Sequence, residues 1–316
     1  MRIPRQLSLA ECDKLFASIR STQNPDELAA FFDALLKEQP LLGYALGRGS
    51  FFWRGRKCVG PGGWPTAFDM VYPPPKLAAL QRLNNSGDPL LYASTRKLTV
   101  LTELDVQEGD FVHLIAIRMK QGAGVHFMAL GDFYHVFKAG FSRLVGDEAG
   151  GAVSRTVNDF GAEMGLRVIY VDAFLSSLLS DPLAHTNDYA QTRALRYAVF
   201  QKIKEGEGFF YPSVRDTIGM NLAIRPETFD TKGQIMSSQV IQILRKREFG
   251  FYDFRYCRHA KWFEGDGSFV WLPETEHHEW VLFGMTTEEE QFMRSREGML
   301  RGNEFFDFMR VSTQSD

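Results

Sequence analysis

Residues 73–103 read PPPKLAALQRLNNSGDPLLYASTRKLTVLTE, and this stretch organises the predicted fold. Its three prolines favour an extended backbone, and a polar, turn-rich segment begins at the Arg-x-Asn step of Arg82. A short apolar strand containing Tyr92 follows, and the next residues favour a short helix that ends at Glu103. A second stretch, YPSVRDTIGMN over residues 211–221, reads as its partner. Together the two stretches predict one small-molecule site.

Composition limits the classes of function. The chain has 316 residues, which suits one large α+β domain with extensions. A formal net charge of −3 argues against nucleic acid as the main partner. No stretch approaches the ~20 apolar residues of a membrane helix, so we expect no membrane partner. The three cysteines are widely spaced and form no CxxC, which predicts reduced thiols in a cytoplasmic protein.

Local patterns predict the flanking elements. Residues 8–20 and 25–38 have the apolar periodicity of amphipathic helices, and we assign residues 1–42 to an N-terminal helical extension. Residues 51–58 predict a strand with Arg54 on the face opposite Trp53. Charge pattern alone is compatible with an edge strand carrying solvated arginines, or with one arginine that points into a site.

Farther along the chain, the sequence predicts an insertion around residues 120–170. Within and beside it, residues 147–152 (DEAGGA) are interpreted as a flexible connector and residues 166–172 (LRVIYVD) as a strand. Residues 286–316 predict a charged helical tail whose phenylalanines could dock a partner. His126 and His135 lack the spacing of metal ligands, and no metal site is predicted.

These motifs resemble the RES domain family, which is named for its Arg, Glu and Ser. The resemblance covers roughly residues 51–230 and departs from the usual pattern at Asn85-Ser86, where many members have proline or lysine. The matching pieces, in order, are FFWRGR with Trp53 and Arg54, Arg82 and Asn84, Gly87 and Pro89, Leu91 and Tyr92, Glu103, the helix DYAQTRALRYAVF, and the segment with Tyr211, Ser213 and Asn221.

The resemblance implies an α+β fold whose mixed sheet core, with flanking helices, is similar to that of ADP-ribosyltransferase toxins. The RES-like domain would span residues 43–285. The implied activity is destruction of NAD⁺ by phosphorolysis or hydrolysis of the nicotinamide bond, with inorganic phosphate as the co-substrate in the first case and without a cofactor. The implied partner is an antitoxin or immunity protein, and homo-oligomerisation is compatible with these features.

The chemistry of that reaction suits the matched residue types. Cleavage of the nicotinamide–ribose bond builds positive charge on the ribose, which a fixed carboxylate stabilises. Arginine forks suit a diphosphate, and an aromatic ring suits a flat nicotinamide. We expect Asn221 to hold the loop that carries Ser213. The implied catalytic residues are Glu103, Ser213 and Arg82, and the implied substrate-binding residues are Arg54, Tyr92 and Asn221.

Two alternatives remain open at this point. The same site could transfer ADP-ribose to a macromolecule, or the domain could be a non-catalytic binding module. Each residue also has a purely structural interpretation: Arg82 could pair with an acidic neighbour, Tyr92 could belong to the core, and Glu103 could be a surface charge at a helix end. No GxGxxG motif follows a strand, so a Rossmann mode of NAD⁺ binding is not predicted.

Overall fold

The computed structural model describes residues 7–46, 51–120, 123–272 and 278–280. Over these residues the chain is a mixed α+β protein. The helical tail predicted for residues 286–316 lies outside the described residues. Within the described residues, no helix combines the length and the apolar character that crossing a membrane requires.

Helices and strands are numbered in chain order. The helices are α1 (Leu9–Ser21), α2 (Pro25–Leu36), α3 (Ala67–Met70), α4 (Lys97–Glu103), α5 (Asp132–Ala139), α6 (Gly146–Asp159), α7 (Ala162–Leu179), α8 (Ala190–Lys202) and α9 (Pro226–Lys232). The strands are β1 (Gly43–Leu46), β2 (Phe51–Cys58), β3 (Leu91–Ser94), β4 (Phe111–Met119), β5 (Val125–Ala129), β6 (Gly208–Pro212), β7 (Met220–Ile224), β8 (Gly233–Lys246), β9 (Tyr252–Phe263), β10 (Phe269–Trp271) and β11 (His278–Trp280).

The chain divides into two compact units. Unit 1 comprises Met1–Tyr44, Ala78–Asp88 and His126–Val214, and unit 2 comprises Ala45–Leu77, Pro89–Val125 and Arg215–Asp316. The predicted domain boundaries were drawn along the sequence, whereas each of these units collects several separate segments.

Unit 1 is mainly helical. The helix α1 begins with the predicted capping box, in which Ser8 and Glu11 exchange hydrogen bonds with each other's backbone. The ring of Phe16 in α1 stacks on that of Phe174 in α7, with centroids 3.9 Å apart. A parallel pair of β5 and β6 completes the unit, with Phe127 opposite Gly208. Helix packing therefore supplies most of the core of unit 1.

Two predictions about this unit were wrong. Leu166–Asp172, predicted as a strand, lies inside α7. Its β-branched residues favour strands only weakly, and α7 buries residues on several sides, which removes the helical periodicity from the pattern. The predicted connector over residues 147–152 lies in α6. Gly150 is needed there because a Cβ would lie 2.8 Å from the Cα of Phe141.

Unit 2 is built on an antiparallel sheet. The strand order is β7-β3-β2-β4-β8-β9-β10, and β11 pairs with β9. Neighbouring strands along this order are antiparallel. The central strand β4 is buried along almost its whole length, so both faces of the sheet are covered there. The order places β3 and β7, which come from the two diagnostic stretches of sequence, side by side.

The strand β2 occupies the middle of this sheet, between β3 and β4. The edge-strand interpretation of residues 51–58 is therefore wrong, although the predicted alternation of Trp53 and Arg54 is confirmed by the register. Gly55 allows α4 to lie close to this strand, since a Cβ there would be 2.7 Å from Cγ1 of Val100. The absence of a side chain at Gly55 thus brings the helix that carries Glu103 against the sheet.

Candidate functional site

The candidate site in unit 2 begins with the register of three strands. Trp53 of β2 lies opposite Ser94 of β3, which in turn lies opposite Asn221 of β7. Opposed residues of antiparallel strands point to the same face of a sheet. Tyr92, two residues before Ser94, shares that face. One face of the sheet therefore presents a short row of polar and aromatic side chains.

Glu103, the last residue of α4, contacts this row of side chains through Asn221. The side-chain amide of Asn221 donates from Nδ2 to Oε1 of Glu103 over 2.6 Å. The hydroxyl of Ser94 donates to Oδ1 of Asn221, also over 2.6 Å. Because Oε1 of Glu103 accepts, it must face the donating nitrogen of the amide, which leaves Oδ1 to accept from the Ser94 hydroxyl.

Burial makes this chain of hydrogen bonds rigid. Ser94 is 4% exposed and Asn221 is 7% exposed, whereas Glu103 is half-buried. Loss of a hydrogen-bond partner destabilises a buried polar group. The hydrogen bond between Ser94 and Asn221 therefore holds the amide of Asn221 in place. The result is a half-buried carboxylate that a buried amide orients. This is the arrangement that stabilises a developing positive charge without reorganisation.

Tyr92 stands beside this carboxylate system on β3. Its residue is half-buried, so the side chain is neither a fully enclosed core group nor a free surface group. Its backbone carbonyl accepts a hydrogen bond of 2.7 Å from Nη1 of Arg54. Arg54 thus holds the backbone of Tyr92, whose ring is expected to stack on nicotinamide.

Arg54 itself points to the other face of β2, because it follows Trp53 directly. Its Nε donates to the carbonyl of Met70 over 2.7 Å, and its Nη1 donates to the carbonyl of Tyr92. Each two-pronged edge of the guanidinium includes one of these nitrogens, so a bidentate grip on a phosphate competes with a backbone contact. Burial, and to a smaller extent the nearby Arg56, lowers the pKa of Arg54 to about 10. This value is still well above 7, so the guanidinium is cationic at neutral pH.

Arg82 and Ser213 belong to unit 1. Nη1 of Arg82 donates to the carbonyls of Leu179 and Asp181 over 2.9 and 3.1 Å, and the guanidinium lies 5.2 Å from the ring centroid of Tyr189. Arg82 therefore satisfies carbonyl groups at the C-terminal end of α7. Ser213 follows β6 directly and is 6% exposed.

Asn84, the second residue of the Arg-x-Asn step, shapes its own turn. Its amide donates to the carbonyls of Ala79 and Asn85, each over 2.9 Å. The motif thus includes a residue with a local structural role, which a resemblance of sequence does not separate from a role in binding.

Within unit 2, Asn221 is hydrogen-bonded to Glu103, Tyr92 shares the sheet face of Asn221, and Arg54 lies on the opposite face of β2. The hydrogen bonds of Asn221 run to Ser94 and Glu103, so we assign it to positioning the carboxylate. Sequence reasoning missed Ser94. The available signal was its place two residues after Tyr92 in a strand, but its partner on β7 depends on strand pairing that the sequence does not specify.

Metal-binding clusters and cavities were also compared with the predicted site residues. Within the described part of the chain, no group of three or more His, Cys, Asp or Glu side chains could hold a metal ion. A cavity of about 710 Å³ in unit 1 lies between α2 and α8, and its lining includes none of the predicted site residues. The candidate site is therefore defined by the hydrogen bonds between Ser94, Asn221 and Glu103.

Comparison of the chain with protein-family models, with curated proteins and with solved structures gives no match.

Proposed function

We propose that this protein cleaves NAD⁺ at the bond between nicotinamide and ribose. Hydrolysis would yield nicotinamide and ADP-ribose, and phosphorolysis would yield nicotinamide and ADP-ribose phosphorylated at the anomeric carbon. In both cases the C–N bond breaks with its electron pair leaving on nicotinamide, and water or phosphate supplies the oxygen that bonds to the ribose. Positive charge develops on the ribose while the bond breaks.

The single observation that carries this proposal is the hydrogen bond of 2.6 Å between Asn221 and Glu103. It supports a carboxylate whose position is set before substrate arrives, as electrostatic stabilisation of a cationic transition state requires. A group of this kind contributes about 3–4 kcal/mol to lowering the barrier. In the proposal, Glu103 stabilises the ribose cation or binds a ribose hydroxyl.

Tyr92 supplies the aromatic surface of the proposal. It shares the sheet face of Ser94 and Asn221, and its half-buried state leaves part of the side chain accessible. A flat nicotinamide ring stacks favourably on such a surface. Tyr92 would bind the ring that becomes the leaving group.

The RES resemblance also implies that Arg54 and Arg82 bind the diphosphate and that Ser213 orients the ribose or the incoming phosphate. The proposed cleavage itself rests on Glu103, Asn221 and Tyr92 of unit 2. The carbonyl contacts of both arginines favour an indirect role in which they hold the backbone. The proposal also includes an ADP-ribosyltransferase-like core and a toxin that an antitoxin or immunity protein neutralises.

The experiment follows the phosphorus-containing product. NAD⁺ is incubated with the purified chain, with and without inorganic phosphate, and ³¹P NMR identifies what forms. A new sugar-phosphate resonance that requires added phosphate indicates a phosphorylase, whereas free ADP-ribose in both samples indicates a hydrolase. The Glu103→Gln variant serves as the inactive form. Glu248→Gln, at an exposed position of unit 2, serves as the matched control that keeps activity.

The other outcomes distinguish the alternatives. ADP-ribose attached to a macromolecule would identify a transferase. Binding of NAD⁺ without turnover by the folded chain would leave a binding module and contradict the proposed cleavage. Growth arrest on expression of the wild type, lost with Glu103→Gln, would support the toxin role. Normal growth with abundant, folded and active protein would contradict that role.

A further inference from the structure

A second hydrogen bond holds α4, one turn before Glu103. Thr99 is 0% exposed, and its hydroxyl donates to Oδ2 of Asp216 over 2.6 Å. Asp216 lies in the segment that leads into β7 and organises that segment locally. The amide of Ile218 donates to Oδ1 of Asp216 over 3.3 Å, and the amide of Gly219 donates to its backbone carbonyl over 3.0 Å.

Gly219 makes the close approach of Thr99 to Asp216 sterically feasible. A Cβ at this position would lie 2.5 Å from both the hydroxyl of Thr99 and Oδ2 of Asp216. Atoms at that distance overlap, so a side chain at position 219 would displace one or both groups. The contact between α4 and this segment is therefore a close-packed one built around a specific hydrogen bond.

The two hydrogen bonds of α4 form one arrangement. Thr99 and Glu103 are four residues apart in a helix, and residues at this spacing lie on the same helix face. Their partners, Asp216 and Asn221, lie in one short segment of chain. This face of α4 is thus attached to the segment 216–221 at two points, one at Thr99 and one at the candidate catalytic carboxylate.

We propose that Thr99 and Asp216 are positioning residues for the carboxylate of Glu103. This inference rests on the proposed cleavage of NAD⁺ for its kinetic consequence, but its structural consequence is independent of any reaction. The Thr99–Asp216 hydrogen bond sets the rotation and height of α4 over the sheet, and hence the place of Glu103 relative to Asn221. A carboxylate that is displaced by a fraction of an ångström loses much of its effect on a developing charge.

The first test compares three threonine variants. Thr99→Val keeps the shape but removes the hydroxyl, Thr99→Ser keeps the hydroxyl, and Thr102→Val is the matched control. Thr102 lies on the same helix, but its hydroxyl donates to the carbonyl of Leu98 in that helix. We expect Thr99→Val to lower kcat for NAD⁺ cleavage roughly 10- to 100-fold with little change in KM, and Thr99→Ser to restore most of kcat. Wild-type kcat in folded Thr99→Val would overturn the inference.

A second measurement reads the geometry without turnover. The side-chain ¹⁵N–¹H₂ resonances of Asn221, assigned with Asn221→Asp, report on its hydrogen bond to Glu103. We expect them to shift in Thr99→Val and to stay in place in Thr102→Val. If the wild type does not cleave NAD⁺, the proposed function fails, while a shift specific to Thr99→Val still supports the positioning role. Unshifted resonances in Thr99→Val contradict it. Asp216→Ala, at a half-buried position, provides the same two readouts if Thr99→Val does not fold.

Discussion

Asn221 joins Glu103 to Ser94, and this amide is oriented from both sides because its oxygen accepts from Ser94 and its nitrogen donates to Glu103. Both links measure 2.6 Å, and the amide is almost fully buried. A carboxylate held in this way is preorganised and does not have to reorient during the reaction. The arrangement connects a strand pairing of the sheet to the proposed chemistry at the end of a short helix.

Replacing Asn221 by alanine should impair both stability and activity. The variant removes the partner of the buried Ser94 hydroxyl and the donor to Glu103. We expect a loss of about 1–3 kcal/mol in the free energy of unfolding, measured with urea, because a buried polar group loses its hydrogen bond. We also expect kcat for NAD⁺ cleavage to fall by at least tenfold. Asn158→Ala, at an exposed position of α6, should leave both quantities near wild type; an equal effect there would refute the specific role of Asn221.

The substitution Arg54→Lys separates a backbone-holding role from a role in binding phosphate. A lysine lacks the planar fork that spans the carbonyls of Met70 and Tyr92. Because these contacts hold the backbone, we expect the free energy of unfolding to fall by about 1–2 kcal/mol. A rise in KM for NAD⁺ with an unchanged free energy of unfolding would contradict this role. Urea unfolding and initial-rate kinetics on one preparation give both numbers.

The buried Asp172 in unit 1 should make stability depend on pH. Its carboxylate accepts from the amides of Gly131 and Tyr134, and burial raises its pKa from 3.8 to about 7. Because the folded pKa is raised, its favourable contribution is complete below pH ~4 and is lost as pH rises through about 7. We expect the difference in unfolding free energy, wild type minus Asp172→Asn, to fall by up to ~1.4 kcal/mol per pH unit across that window.

Asn158→Ala, at an exposed position of α6 that carries no titratable group, is the control for this effect. It should show no such trend over the same range. A difference between wild type and Asp172→Asn that is independent of pH would contradict the raised pKa of Asp172.

His113 in unit 2 should produce the opposite dependence. Burial, with a further contribution from Arg56, lowers the pKa of His113 to about 3, and its ring nitrogens contact Ser238 and the amide of Trp64. A depressed pKa gives stability that is present above the ordinary value near 6.5 and lost as pH falls towards 3. In an NMR titration, the His113 ring should show no protonation down to pH 5. A midpoint near 6.5 would contradict this account.

Local signals predicted much of unit 2 correctly. The helix over residues 97–103 and the strand over residues 51–58 are confirmed, because periodicity and β-branched or aromatic content act over a few neighbouring residues. The same reasoning was wrong for Leu166–Asp172, where burial on several sides of α7 makes a helix resemble a strand in sequence. Short apolar stretches do not distinguish these two cases.

The connections of the site were beyond local reasoning. Ser94 and Asn221 are 127 positions apart, and their contact depends on which strands pair and in which register. Thr99 and Asp216 are not among the site residues predicted from sequence, because a threonine in a helix and an aspartate in a turn are both common. The side chains that carry the resemblance could be named from sequence, but the hydrogen bonds that hold Glu103 in place could not.

The most direct test of the central claim is nicotinamide release from NAD⁺, followed by ¹H NMR, by the purified wild type and by Glu103→Gln. The account predicts steady release by the wild type and a rate at least 100-fold lower for the variant, in line with the loss of one preorganised electrostatic group. Matching unfolding curves would show that the two proteins are equally folded. Equal rates for the two proteins, or no release by the folded wild type, would contradict the proposed role of Glu103.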